Sequence, residues 1–151
     1  MQLLEDMEYL KDYLSIQSSR FGDRFKYEID IEPQCYSCII PKLLLQPVIE
    51  NSIKYGFKKK VNLCVIIKGR MEGQVLCLQV MDSGGGLKSR EIEELKAFIV
   101  EPGLPSEHHG LRNIARRLYL KYGRDSGVSF EGNEMGGLTV ILRISQKEVL
   151  G

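Results

Sequence analysis

The stretch Gln46-Pro-Val-Ile-Glu-Asn-Ser-Ile-Lys-Tyr-Gly56 decides how the rest of the chain is read. Leu45, Val48, Ile49, Ser52 and Ile53 recur at helical spacing, so a helix is expected with that stripe turned to a core. Asn51, Lys54 and Tyr55 stand at i, i+3 and i+4 and share another face. An amide oxygen suits a hard divalent ion, an ammonium suits phosphate, and a ring offers an apolar wall to a base. The plain alternative is an amphipathic helix whose polar face is merely wet.

A second window lies downstream, Val80-Met-Asp82-Ser-Gly84-Gly85-Gly86-Leu87. It reads as a strand that ends in a carboxylate beside a backbone able to turn sharply and approach a ligand closely. Such a carboxylate can accept a hydrogen bond from an exocyclic amine, although a polar turn leaving a strand would look similar. Gly110-Leu-Arg-Asn113 follows, and the order of the three windows is more specific than any one of them.

Between and around these windows the patterning gives further elements. Leu3, Met7, Leu10 and Leu14 form a narrow seam on an initial helix. Two heptads leave open whether that seam joins a coiled coil or packs on the same domain. Phe25, Tyr27, Ile29 and Ile31 alternate with charged residues as in a half-buried strand. Residues 61–68 and 74–82 read as two strands of a hairpin turning at Met71-Glu-Gly-Gln74. Residues 83–109 form the longest irregular stretch, expected to be a lid. Leu111, Ile114, Ala115, Leu118 and Tyr122 give an amphipathic helix, and strands are expected at 127–132 and 138–145. About five strands and three larger helices suit an α+β fold, a two-layer sandwich with one sheet face covered by helices.

Bulk properties narrow the function classes. The 151 residues suffice for one cored domain without staples. With 21 basic and 20 acidic side chains, nothing in the charge balance argues for nucleic acid. No apolar run approaches the roughly 20 residues of a membrane span. Cys35-Tyr-Ser-Cys38 has no second pair at zinc-site spacing, and Pro41 is read as starting the following helix, so the four cysteines read as reduced thiols. Lys58-Lys-Lys60 reads as a solvated turn near enough to meet phosphates. His108 and His109 are read as structural or lid residues, because no third histidine exists to complete a metal site.

The combination resembles the ATP-binding catalytic domain of sensor histidine kinases, of the GHKL (Bergerat-fold) superfamily, and within it the LytS/YesM subgroup. Gln46 to Gly56 is similar to that family's N box, Asp82, Gly84 and Gly86 to its Asp-x-Gly-x-Gly box. Gly110 to Asn113 is similar to the Gly-Leu-(Arg/Lys)-Asn that closes the lid, and Gly136, Gly137 and Thr139 to its late glycine motif. The resemblance spans nearly the whole chain. It implies a mixed, mostly antiparallel sheet, a linker helix at 1–22 from a dimerisation region, and a catalytic domain at 23–151.

It implies site roles as well. Asn51 would hold Mg²⁺, Glu50 and Lys54 would complete the catalytic set, and Tyr55 would border the base or ribose of ATP. Asp82 would accept from the adenine amine with support from Thr139 through water, while Gly84 and Gly86 let the lid's start pass closely. The amides of Gly110, Leu111 and Arg112, with Asn113, would receive phosphate oxygens at a helix start. The implied partners are a histidine-bearing dimerisation domain of the same kinase and a response regulator, in a homodimeric parent protein anchored in the plasma membrane with this domain in the cytoplasm. Two departures accompany the match. Pro105-Ser-Glu-His-His109 stands where the family has further glycines, which leaves a regulatory module without nucleotide as one alternative. Gyrase- and MutL-like ATPases, the other alternative, carry a water-activating glutamate where this chain has Pro47.

Overall fold

A computed structural model describes residues 1–85, 116, 118 and 127–146. Helix α1 (Leu3–Phe21) leads into strand β1 (Phe25–Ile31), and helix α2 (Leu45–Lys59) follows. Strands β2 (Leu63–Glu72), β3 (Val75–Asp82), β4 (Gly127–Gly132) and β5 (Leu138–Ser145) complete a five-stranded sheet ordered β1-β2-β3-β5-β4. Only β1 and β2 run parallel, with α2 in the connection between them; the other pairings are antiparallel. This is the α+β fold expected from the patterning, with the mixed, mostly antiparallel sheet that the resemblance implies.

Alternation explains how the sheet buries one face. Leu76, Leu78 and Val80 of β3 lie across from Ile144, Leu142 and Val140 of β5, Asp82 follows on the same face, and this side meets the helices. The seam of α1 takes the second of its two open fates. Leu3, Met7, Leu10 and Leu14 are all essentially inaccessible and belong to the same core as α2 and the sheet. Each such side chain contributes about 1.5–3 kcal/mol of burial. Gly22, at φ 59, ends the helix and donates its N–H to Ser18.

A buried acid joins the two helices. The Leu45 N–H, in the first turn of α2, donates to Asp6 Oδ2 of α1 at 3.3 Å, and Asp6 is buried. A carboxylate at a helix start satisfies an otherwise orphaned donor and meets the positive end of the dipole. Helix α2 therefore begins at Leu45, and Pro41 sits in the turn before it rather than opening the helix. Strand β2 also differs from expectation. It starts at Leu63, leaving Val61 exposed, and continues past Lys68 because the ladder with β3 runs to Glu72 opposite Val75. The pairing leaves a two-residue turn with Gly73 at φ 63, a conformation that favours glycine. Arg116 and Leu118, the described residues of the expected late helix, are both helical, with Arg116 exposed and Leu118 buried as its stripe requires.

Candidate functional site

The site is built where β3 ends against the start of β5 and the middle of α2. Asp82, the last residue of β3, is 5% exposed. Its Oδ1 accepts from Gly84 N–H at 2.9 Å and from Leu138 N–H at 3.3 Å. Burial pushes the Asp82 carboxyl above the ordinary carboxylate value, and the two backbone donors, Ser52 and Lys59 pull it partly back. The Ser52 hydroxyl of α2 is buried and makes no hydrogen bond of normal geometry among the described residues. It lies near enough to Asp82 to favour the carboxylate's charge all the same. Ser52 and Asp82 thus place a hydroxyl and a carboxylate side by side in a buried corner between α2 and the end of β3.

Glycines make the crevice narrow. A Cβ on Gly84 would stand 2.7 Å from the Cα of Gly56, so β3 leaves the sheet in direct contact with α2. A Cβ on Gly137 would stand 1.7 Å from the Asp82 carbonyl oxygen, which no side chain can do. Gly137 thus lets the β4–β5 turn close over the Asp82 backbone.

Asn133 holds that turn. Its Nδ2 donates to the Asp82 carbonyl at 3.0 Å and to Thr139 Oγ1 at 3.2 Å, and its Oδ1 accepts from Met135 and Gly137 N–H. Thr139 is buried and pairs with Met81, so strand alternation turns its side chain to the sheet face opposite the Asp82 carboxylate. Support from Thr139 therefore reaches Asp82 through the Asn133 amide rather than from a hydroxyl beside the carboxylate.

Along α2, Asn51 and Tyr55 are half-buried, while Glu50 and Lys54 are exposed. Glu50 accepts from Gln46 Nε2 one turn earlier, at 3.0 Å. The ammonium groups of Lys54 and Lys58 stand 5.3 and 5.0 Å from the Tyr55 ring centre. Helical spacing puts Lys59 on the stripe of Asn51 and Tyr55, at i+8 and i+4. Its side chain runs along Gly85, 3.4 Å from where a Cβ would be, and its charge is felt at Asp82. Lys59 is thus the lysine next to the crevice, whereas Lys54 faces toward α1.

Gly86, Gly110, Leu111, Arg112 and Asn113 lie outside the described residues, as do Glu107, His108, His109 and all of the expected lid after Gly85. The residues brought together are Asn51, Ser52, Tyr55, Lys59, Asp82, Gly84, Asn133 and Gly137. Four of them carried no individual role in the sequence reading. Ser52 hid in the apolar stripe, Lys59 in a lysine run, Asn133 in a turn, and Gly137 only in a motif match. Cys35 and Cys38 are far from being a reactive pair: both are buried, and burial pushes the Cys35 thiol up to about 11, so it stays protonated at neutral pH.

Known proteins similar to this chain agree with each other. The sensor histidine kinase YesM of Bacillus subtilis is 30% identical over 141 residues, 93% of this chain and 23% of its own length. Sensor protein LytS of Staphylococcus saprophyticus is 29% identical over 139 residues, 90% of this chain and 23% of its own. Sensor protein kinase HptS of Staphylococcus aureus is 26% identical over 144 residues, 95% of this chain and 28% of its own. The chain therefore spans about a quarter of the length of these curated relatives. Among solved structures, the catalytic domain of histidine kinase ThkA superposes with a TM-score of 0.77 at 14% identity, covering 96% of this chain and 94% of that one. The histidine kinase domain of a blue-light activated kinase from Erythrobacter litoralis gives 0.64 at 19% identity, over 99% and 64%. No protein-family model matches the chain.

Proposed function

From a chain whose homologues are sensor histidine kinases and whose fold is that of their catalytic domains, we infer the ATP-binding catalytic domain of a two-component sensor kinase. On this reading it presents the γ-phosphate of ATP to a histidine on a separate dimerisation domain. The observation that carries it is the Asp82 arrangement. Oδ1 is held by two backbone donors where the contact of Gly84 with Gly56 brings the end of β3 against α2, with the buried Ser52 hydroxyl beside the carboxylate.

The residues present fit adenine and a nucleotide-bound divalent ion. Asp82 accepts from the exocyclic amine, and the Ser52 hydroxyl supplies a second polar contact at the base. Tyr55, one turn from Asn51, walls the base or ribose. Asn51 offers the amide oxygen that Mg²⁺ prefers, and the ion would there neutralise charge on the phosphates. Lys59 and Lys54 add positive charge on either side of Tyr55. Gly86 and the amides of Gly110, Leu111 and Arg112, with Asn113, would close on the phosphates at a helix start. Such a site promotes transfer by positioning and charge neutralisation, and water is poorly served where Pro47 replaces the hydrolases' glutamate. Residues 1–22 would then serve twice, as part of this core and as the linker from the histidine-bearing domain. A response regulator, a homodimeric membrane-anchored parent and a cytoplasmic place for this domain follow from the same reading. No described helix is itself long and apolar enough to cross a membrane.

The test is titration of Mg·ATP into the chain, followed by incubation with γ-labelled Mg·ATP, with and without a fragment carrying the upstream histidine of the parent kinase. Label on the added fragment alone is expected. Stable label on this chain, rapid phosphate release, or no nucleotide binding would each overturn the reading.

A further inference from the structure

On the other side of α2 from Asp82, a groove runs between that helix and the second half of α1. Two adjoining hollows of about 420 and 290 Å³ share Phe21, Phe57 and Lys58, and together form one continuous depression. Its floor is aromatic: the rings of Phe21 and Phe57 stack at 4.2 Å between centroids, interplanar angle 19°. Its walls are cationic. Arg20, Arg24, Lys54, Lys58, Lys59 and Lys60 line it, against the single carboxylate of Glu50.

The two guanidinium groups are placed before any ligand arrives. Arg20 Cζ lies 4.9 Å from the Phe21 ring centre, and Arg24 Cζ lies 5.5 and 5.8 Å from those of Phe21 and Phe57. Stacking on rings orients the planar forks that bind carboxylates two bonds at a time. The salt bridge found between described residues joins Arg70 and Glu72 on the opposite part of the fold, so Arg20, Arg24, Lys58 and Lys60 are not spent on described acids. Val61, 72% exposed at the end of the groove, extends its apolar surface. Glu50 is answered locally, since it bonds Gln46 and, after burial, is what pushes the Tyr13 hydroxyl's pKa up.

We propose that this groove docks an acidic segment of a partner protein, carboxylates on Arg20, Arg24 and Lys58 and an apolar side chain on the Phe21–Phe57 floor. Charge complementarity selects the sign, and shape selects the class. The groove is long and open, so a small anion would leave its aromatic floor wet. It is concave between two helices, so a flat lipid surface would reach the rim and miss the floor. The inference does not rest on nucleotide binding, because Arg20, Arg24, Phe21 and Phe57, which carry it, have no role in that reading.

The experiment maps backbone amide shifts of the full chain on adding two synthetic amphipathic peptides with the same leucines, one built on glutamate and one on lysine. The glutamate peptide is expected to shift the ends of α1 and α2, more weakly as salt rises, and the lysine peptide to do nothing. The double variant Arg20→Gln/Arg24→Gln should weaken binding about three- to thirtyfold, from two surface charge pairs. Arg20→Glu alone, at an exposed position near the end of α1, gives the same readout should the double variant unfold. Mg·ATP titration of each variant shows that the nucleotide site is intact. Shifts centred elsewhere, equal affinity in the variants, or no shift with either peptide would overturn the proposal. Co-sedimentation with phosphatidylglycerol–phosphatidylcholine vesicles in the absence of peptide binding would overturn it too, in favour of a membrane surface.

Discussion

Replacing Asp82 by Asn separates what this residue does for the fold from what it does for a ligand. In the folded chain, Oδ1 takes both backbone hydrogen bonds, from Gly84 at 2.9 Å and Leu138 at 3.3 Å. An asparagine keeps that oxygen and its two donors. On the nucleotide reading, the change falls on the other position, where the acceptor for the adenine amine would become an NH₂ group, donor against donor. A hydrogen bond to a charged group is worth about 1.5–3 kcal/mol, so affinity for Mg·ATP should fall roughly ten- to a hundredfold. Stability should move the other way or not at all. Because burial raises the folded carboxyl above its ordinary value of 3.8, the folded state holds the proton more tightly than the unfolded chain. The native protein therefore loses stability as pH rises from that ordinary value through the raised one. Asp82→Asn removes the titrating group, so its melting temperature at neutral pH should be no lower than that of the parent, and that pH dependence should shrink. Calorimetric titration with Mg·ATP and thermal melts across pH measure both. Unchanged affinity, or a large loss of stability, would refute the assignment of Asp82 as a ligand acceptor held in place by the backbone.

Other perturbations test the remaining parts. Gly137→Ala forces a methyl group to within 1.7 Å of the Asp82 carbonyl, so the turn must move; denaturant melts should show a loss of about 1–3 kcal/mol or more, and ATP affinity should fall with it. Asn133→Ala removes the amide that joins Asp82, Thr139, Met135 and Gly137; a loss of about 1–3 kcal/mol is expected from the donors and acceptors left buried. Asn51→Ala should weaken Mg·ATP far more than metal-free ADP, and equal losses in the two titrations would make Asn51 a structural residue. Leu10→Ala, in the buried seam of α1, should cost about 2–5 kcal/mol in a denaturant melt, whereas a helix docked loosely on the domain would give almost none.

What the sequence could tell depended on how local each signal was. Period-two alternation in Phe25 to Ile31 and period-3.6 recurrence in Leu45 to Ile53 are carried by neighbours along the chain, and both elements stand where they were read. Asp82 was legible because a strand ending in acid and glycine is a local pattern too. Asn133 was not, since its partner Asp82 lies 51 residues away and a lone Asn near glycines looks like any turn. Thr139 was read into the site, yet which face it takes depends on its pairing with Met81, a register that only the assembled sheet defines. Lys59 shows the same limit more sharply. Within Lys58-Lys-Lys60 the three side chains are equivalent as a sequence. Once α2 is seen to continue to Lys59, helical phase singles that residue out, because Asn51, Tyr55 and Lys59 are one turn apart and Lys58 is carried round toward α1. All three lysines border the groove behind α2, and geometry sets Lys59 apart as the one of the three whose charge is felt at Asp82.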